Sequence, residues 1–384
     1  MLLFGMTAYA EEEPEQLYAR SAVLMDADTG RVLFEKNGYE KRAMASTTKI
    51  MTCILALEKG NVEDVLTASS NAARQPKVHL GVREGEQFRM EDLLYSMMLE
   101  SHNDSAVMIA EHIGGSIEEF AGMMNEKAEE LGCKDTHFVT PNGLDGVDAE
   151  GRHETTAADL ARIMSYCVGE SEQKNTFLQI TGARQHTFTD MEQKRNISCS
   201  NHNAFLTMME GAFSGKTGFT GEAGYCYVGA LRRDDRTFVV ALLGCGWPNN
   251  KTYKWSDAKK LMQYGLEHYT YRSVDPRQKF MPIPVKDGIP EDESIGTPAT
   301  VPLKLADESV VTQSVLAKAE ERIEIKCTTE PELEAPVREG QQVGEVQTYL
   351  EGELLARYPV VAAKGVKKIS IAWCIQKVAD MYTL

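Results

Sequence analysis

Ser46-Thr47-Thr48-Lys49, Ser101-His102-Asn103 and Lys216-Thr217-Gly218 stand in that order along a chain of 384 residues, and their reading decides the fold. Ser-x-x-Lys alone carries little weight, since roughly one match arises by chance in a chain of ordinary composition. Lys-Thr-Gly arises by chance only about once in ten such chains. All three in sequence are a specific signal. They supply a serine nucleophile with a nearby lysine, a second hydroxyl with an amide, and a cationic strand beside a glycine. Those are the parts of an acyl transfer on a substrate that ends in a carboxylate.

Ser46 and Lys49 are three apart at the start of a helical pattern, which puts them on one face with Cβ atoms about 5–6 Å apart. A serine hydroxyl becomes a useful nucleophile once an adjacent base takes its proton. Lysine serves as that base when burial or a second cation lowers its pKa. The helix start also directs backbone N–H groups toward a developing oxyanion. Ser101 and Asn103 lie in a connection between helical segments, where a hydroxyl can relay a proton and an amide can hold a substrate backbone and orient Lys49. Lys216-Thr217-Gly218 opens a strand whose edge can pair with an extended substrate. There Lys216 and Thr217 would bind the terminal carboxylate, and Gly218 allows close backbone approach. Phe219 would add an N–H to that of Ser46 as the second oxyanion donor.

Around these motifs the periodicity predicts a β-hairpin from Ser21 to Phe34, turning through Asp26-Ala27-Asp28-Thr29-Gly30. Helical patterns follow from Ala45 and over Met90–Glu100, Ser105–Ile113, Ile117–Leu131 and Ala157–Cys167, punctuated at Gly114-Gly115 and Pro141-Asn142-Gly143. After Gly215 the period becomes that of strands, at Gly224–Leu231 and Thr237–Leu243, before an amphipathic helix over Ser256–Tyr269. Strands at both ends of a helical middle predict one sheet with an inserted helical lobe. Beyond Asp275-Pro276 the short runs Ser309-Val310-Val311, Ile323–Lys326 and Val343–Leu350 read as a small all-β domain.

The net charge of −16 excludes nucleic acid and anionic lipid as general partners. An acidic small substrate stays open, because a local lysine dominates within the roughly 10 Å screening length. Met1 to Ala10 is apolar, closes in Ala8-Tyr9-Ala10 and precedes Glu11-Glu12-Glu13, the pattern of a signal-peptide remnant. The eight cysteines follow no metal spacing; disulfides are permitted but their pairing is open, and Cys53, Cys226 and Cys245 sit in apolar stretches as buried side chains. His153, His186 and His202 are scattered, so no metal site is expected. The segment 367–384 places Ile371, Cys374, Ile375, Val378 and Tyr382 on one helical face. It is too short and too charged to span a bilayer, and fits an interfacial anchor or a helix packed on the β domain.

With these residues in place, the chain resembles the D-alanyl-D-alanine carboxypeptidases, low-molecular-mass penicillin-binding proteins of the peptidase S11 type. The likeness extends to Asp26–Leu33, to Phe138–Leu144, to His153–Leu160 and to Ala335–Gln341 in the β domain. The resemblance implies an α/β (α+β) domain of the serine β-lactamase and penicillin-binding-protein type, an antiparallel sheet with a helical lobe, plus a small all-β C-terminal domain. The expected division is 1–10 signal remnant, 11–272 catalytic domain, 273–366 β-rich domain and 367–384 amphipathic segment.

It further implies Ser46 as the acylated nucleophile, Lys49 as general base, Ser101 and Asn103 as the second motif, and Lys216 and Thr217 as carboxylate binders. No cofactor is implied. The expected substrate is the peptidoglycan pentapeptide, the expected inhibitors are β-lactams, and the expected location is the outer face of the cytoplasmic membrane or the wall space. A β-lactamase-like hydrolase, an endopeptidase or transpeptidase, and a non-catalytic wall-binding protein that senses penicillin are the alternatives. Two positions depart from the family pattern: His102 replaces a usual glycine, which puts an imidazole at the cleft, and Ala158 replaces an arginine common before Asp159.

Overall fold

The computed structural model describes residues 14–307, 309 and 312–382. The expected signal remnant, residues 1–10, and Val310-Val311 of one short β run lie outside the described residues. The chain divides into two compact units between Glu267 and His268.

The first unit is built on a five-stranded antiparallel sheet in the order Val32–Lys36, Ser21–Asp26, Arg236–Leu243, Gly224–Arg233, Ala212–Thr220. The strands from the two ends of the unit meet as the sequence predicted, Ala22 facing Leu242 and Leu24 facing Val240. Both faces of the sheet are covered, which is why all six residues of Ser21–Asp26 are buried and the Val239–Leu243 run is apolar without alternation. Val23, Met25, Val239 and Ala241 join the core of the helical lobe. The helix Tyr253–His268 lies on the other face: a Cβ on its Gly265 would be 3.0 Å from Leu24 and 3.1 Å from Phe238. Asp234 and Asp235 take φ of 52° and 60° between Gly224–Arg233 and Arg236–Leu243, the two left-handed residues of a tight hairpin turn.

Within the lobe, a 3₁₀ turn at Ala45–Thr48 leads into the helix Lys49–Lys59, of which every residue from Lys49 to Leu57 is buried. A helix buried on all sides is a central helix, packed from every direction. The segment Met90–Glu100 is not one α-helix, as its periodicity suggests; Met90–Tyr95 is α-helical and Ser96–Glu100 widens into a π turn. Ser101 then takes φ 67°, ψ 27°, and the helix Asn103–Gly114 begins. That break sets the second motif at the mouth of the lobe. The segment Ala157–Cys167 likewise changes to a π turn at Tyr166.

In the second unit, Ile323–Thr329, Gln342–Leu350, Glu353–Ala362 and Leu303–Leu305 form a four-stranded antiparallel sheet. Ile283–Lys286, Ala299–Val301 and Leu333–Glu334 form a three-stranded one. Val285, Val301, Val346 and Val360 belong to their common core. The helix Ile371–Tyr382 leaves one face open, with Ile371 82% and Ile375 66% exposed, while Lys377 Nζ pairs with Glu293 of the β unit at 2.7 Å and Trp373 is half-buried. All eight cysteines are free thiols, with Cys53, Cys226 and Cys245 buried.

Candidate active site

Lys49 Nζ lies 2.9 Å from Ser46 Oγ and 3.0 Å from Asn103 Oδ1, and it also donates to the carbonyl of Asn142. The lysine is fully buried. Burial pushes its pKa well down, the Lys216 charge pushes it further down, and Asp104 opposes both. A neutral amine has two hydrogens and a lone pair. With two carbonyl oxygens holding the hydrogens, the lone pair faces the Ser46 hydroxyl, which is the geometry of a general base.

The backbone behind this pair is tightly fitted. Asn142 belongs to the Pro141-Asn142-Gly143 turn, where Gly143 takes φ +85°, and a Cβ there would overlap the Ala45 carbonyl and sit 2.8 Å from Ser46 N. On the other side, a Cβ on Gly218 would sit 2.9 Å from Ser46 N and 3.0 Å from Thr47 N. Glycine at both positions lets the turn and the strand close on the start of the Lys49–Lys59 helix.

Ala212–Thr220 is the edge strand of the sheet. Phe219 is opposite Tyr225, whose N–H donates to Gly246 O and whose carbonyl accepts from Cys245 N, both away from the edge strand. In an antiparallel pair, a residue that does not exchange hydrogen bonds with its opposite turns its polar groups outward. The N–H and C=O of Phe219, and by the same alternation of Thr217, therefore point out of the sheet into the cleft. An outward Phe219 N–H beside the helix start at Ser46 can donate to an oxyanion, and the open edge can pair with an extended peptide.

Lys216 Nζ is 3.0 Å from Ser101 Oγ and 2.9 Å from Thr217 O. Burial lowers its pKa to about 7. Asn103 is fixed by its Nδ2 donating to Pro76 O at 3.1 Å and its N–H to Val78 O at 2.9 Å. The buried carboxylate of Asp104 accepts from the N–H groups of Leu80, Gly81 and Val82. The cleft between lobe and strand has a volume of about 420 Å³. Ser46, Ser101, Asn103, Thr217, Gly218 and Phe219 line it, and Lys49 and Lys216 lie beneath.

All eight residues singled out from the sequence thus converge on one cleft. His102 does not behave as expected: its ring does not line the cleft but turns inward, with Nδ1 2.8 Å from Ser96 Oγ. Two participants escaped the sequence reading. Asn142 stood in a turn read as punctuation and as part of the family likeness but given no role. Lys254 lies just before the helix expected over Ser256–Tyr269, in what the structure shows as the first turn of Tyr253–His268. Lys254 is 6% exposed, lines the cleft, donates to Lys251 O, and places Nζ 4.7 Å over both the Tyr225 and Trp255 rings. With Lys77 and Lys251 on the same lining, the cleft is locally cationic in a chain of net charge −16.

His153 is a core histidine. Its Nδ1 accepts from Val139 N at 2.9 Å, which leaves the proton on Nε2 to donate to Thr48 Oγ1 at 2.8 Å. Burial pushes its pKa from 6.5 to about 3. The unfolded chain therefore binds this proton before the native state does, and stability falls as pH drops from 6.5 toward about 3. We expect up to about 1.4 kcal/mol lost per pH unit through this group. Urea unfolding at pH 7 and pH 4.5 checks this, with a His153→Asn chain expected to show a shallower pH slope.

Among the described residues no group of His, Cys, Asp and Glu could hold a metal ion. Residues 7–245 match the family model for D-alanyl-D-alanine carboxypeptidase, and 290–368 match that for the penicillin-binding protein 5 C-terminal domain. The chain is 29% identical to the carboxypeptidase DacF of Bacillus subtilis, covering 100% of this chain and 96% of that protein. It is 30% identical to DacD of Escherichia coli, covering 92% and 88%. Its fold is similar to that of penicillin binding protein 5 from Haemophilus influenzae, with TM-score 0.70 and 23% identity over 93% of this chain and 100% of that one. A serine-to-alanine variant of the Streptomyces K15 DD-transpeptidase is also similar, with TM-score 0.60 and 27% identity over 65% and 98%.

Proposed function

Because the chain belongs to the D-alanyl-D-alanine carboxypeptidase family of serine peptidases, we propose that Ser46 is acylated when the terminal D-alanine is removed from a peptidoglycan stem peptide. The observation that carries this assignment is the buried Lys49 Nζ, 2.9 Å from Ser46 Oγ. Lys49 takes the hydroxyl proton, Oγ attacks the carbonyl between the two D-alanines, and the N–H groups of Ser46 and Phe219 hold the oxyanion. The proton passes by way of the Ser101 hydroxyl to the leaving amine, D-alanine departs, and water hydrolyses the ester to free Ser46. Lys216 and Thr217 hold the substrate carboxylate, with Lys254 as a further cation on the same lining. The upstream backbone lies along the outward edge at Thr217 and Phe219, with Asn103 holding its amide.

β-Lactams are expected inhibitors, since their ring amide presents the same carbonyl to Ser46. We assign 11–272 to catalysis and 273–366 to a positional role, and place the enzyme on the outer side of the cytoplasmic membrane. The exposed apolar residues Ile371, Ile375, Val378 and Met381 support an interfacial role for 367–384. No helix among the described residues is long and apolar enough to cross a membrane.

Product analysis tests the reaction. A defined pentapeptide ending in D-Ala-D-Ala should yield tetrapeptide and one equivalent of D-alanine, while a cross-linked dimer stays largely intact. Dimer cleavage without D-alanine release would instead mark an endopeptidase, cross-linked product a transpeptidase, and rapid nitrocefin turnover without D-alanine release a β-lactamase. Gly143→Ala should lower stability by about 2 kcal/mol or more, because an L side chain is strained at that φ and meets the Ala45 carbonyl. It should also slow acylation at least about tenfold, since Asn142 O moves away from Lys49. Thermal melting and the rate of fluorescent penicillin labelling measure the two effects.

A further inference from the structure

The second motif carries its catalytic hydroxyl on a residue in an uncommon backbone conformation. Ser101 sits at φ 67°, ψ 27°, between the π turn Ser96–Glu100 and the helix Asn103–Gly114. A left-handed conformation costs a residue with a side chain about 1 kcal/mol or more, so the surroundings must hold it. What spans it is a buried polar link. Ser96 Oγ lies 2.8 Å from His102 Nδ1 and 2.9 Å from Ser105 Oγ. Ser96 is on the turn before Ser101; His102 and Ser105 are at the start of the helix after it. Ser96 and Ser105 are fully buried, so neither hydroxyl has water as an alternative partner. A hydroxyl has one hydrogen and two lone pairs, so Ser96 can serve His102 and Ser105 at the same time.

We propose that His102 is a positioning residue, which through Ser96 fixes the Ser101 backbone and so keeps the Ser101 hydroxyl against Lys216. The ring touches neither Ser46 nor the cleft; it acts through the chain on both sides of Ser101. Its burial, which outweighs the attraction of Asp104 and Glu100, lowers the pKa and favours the neutral ring at neutral pH. Glycine or alanine at this position would leave Ser96 tied to Ser105 and Cys199 but not to the residue next to Ser101, and Ser101 free to move by the fraction of an ångström that separates relay from no relay.

This inference rests on the Ser46 reading, and its test separates the two. D-Alanine release is measured for His102→Ala, His102→Asn and Ser96→Ala, with each rate divided by the penicillin-titrated concentration of active sites. Asparagine places an amide near the position of Nδ1 and can restore the bond to Ser96. His102→Ala and Ser96→Ala should each lower kcat per titrated site about tenfold with KM changed less than about twofold, and His102→Asn should recover most of the loss. If His102→Ala keeps the parent kcat per titrated site, or His102→Asn is as impaired as His102→Ala, the positioning role is wrong. A parent enzyme with no penicillin adduct on Ser46 would overturn the Ser46 reading instead.

Discussion

Lys49→Met is expected to slow acylation of Ser46 by about 10³-fold or more, within the range that loss of a base and its alignment produces. Methionine has a similar length and suits a buried site, so the side chain is replaced without opening a large cavity. What disappears is the lone pair facing Ser46 Oγ and the two hydrogens held by Asn103 Oδ1 and Asn142 O. Lys49→Arg should not rescue the rate. A guanidinium keeps its proton at any working pH, and its planar fork does not fit a pocket shaped for a point charge. The rate of labelling by a fluorescent penicillin, followed beside the thermal melt, distinguishes a chemical defect from an unfolded chain. Full-rate labelling of a folded Lys49→Met chain would remove Lys49 from the mechanism.

Lys216→Gln should lower kcat/KM about 10²-fold, the cost of removing a charged partner from a desolvated carboxylate. It should also move the pH profile. Lys49 must be neutral to act as a base, so the rate rises with pH through its pKa. The Lys216 charge is one of the two effects that hold that pKa down. Taking the charge away raises the Lys49 pKa, and the acid limb moves to higher pH. In the parent enzyme, Lys216 has a pKa of about 7 and must be charged to receive the carboxylate, so kcat/KM falls again on the alkaline side. The profile is bell-shaped for the parent and should lose its alkaline limb in Lys216→Gln. An unchanged acid limb would mean that the two lysines are not coupled.

The central strands were legible because Ala22–Met25 and Phe238–Leu243 are unbroken apolar runs, and the catalytic residues because they fall in short consecutive motifs. Lys216-Thr217-Gly218, expected to open a strand, instead lies in the middle of Ala212–Thr220, whose Ser214, Lys216 and Thr217 interrupt the apolar pattern. The π turns at Ser96–Glu100 and Tyr166–Glu170 were not legible, since one extra residue in a helical turn barely disturbs the apolar period. The helix Lys174–Gly182 buries only Phe177, Ile180 and Thr181, too few for a clear periodic signal. Asn142 takes part through its backbone carbonyl, which no side-chain pattern encodes. Lys254 becomes part of the cleft only when the far end of the unit folds back over the sheet. His102 was misjudged for a related reason: its neighbours in sequence line the cleft, while its own partner is six positions back, on a turn whose geometry only the fold supplies.

The central claim is that Ser46 is the residue that carries the acyl group. Intact protein incubated with benzylpenicillin, digested and sequenced by mass spectrometry, tests it most directly. The account predicts one penicilloyl adduct per chain, on the peptide containing Ser46, and none on a folded Ser46→Ala chain. An adduct on another residue, or one that persists in Ser46→Ala, would contradict it.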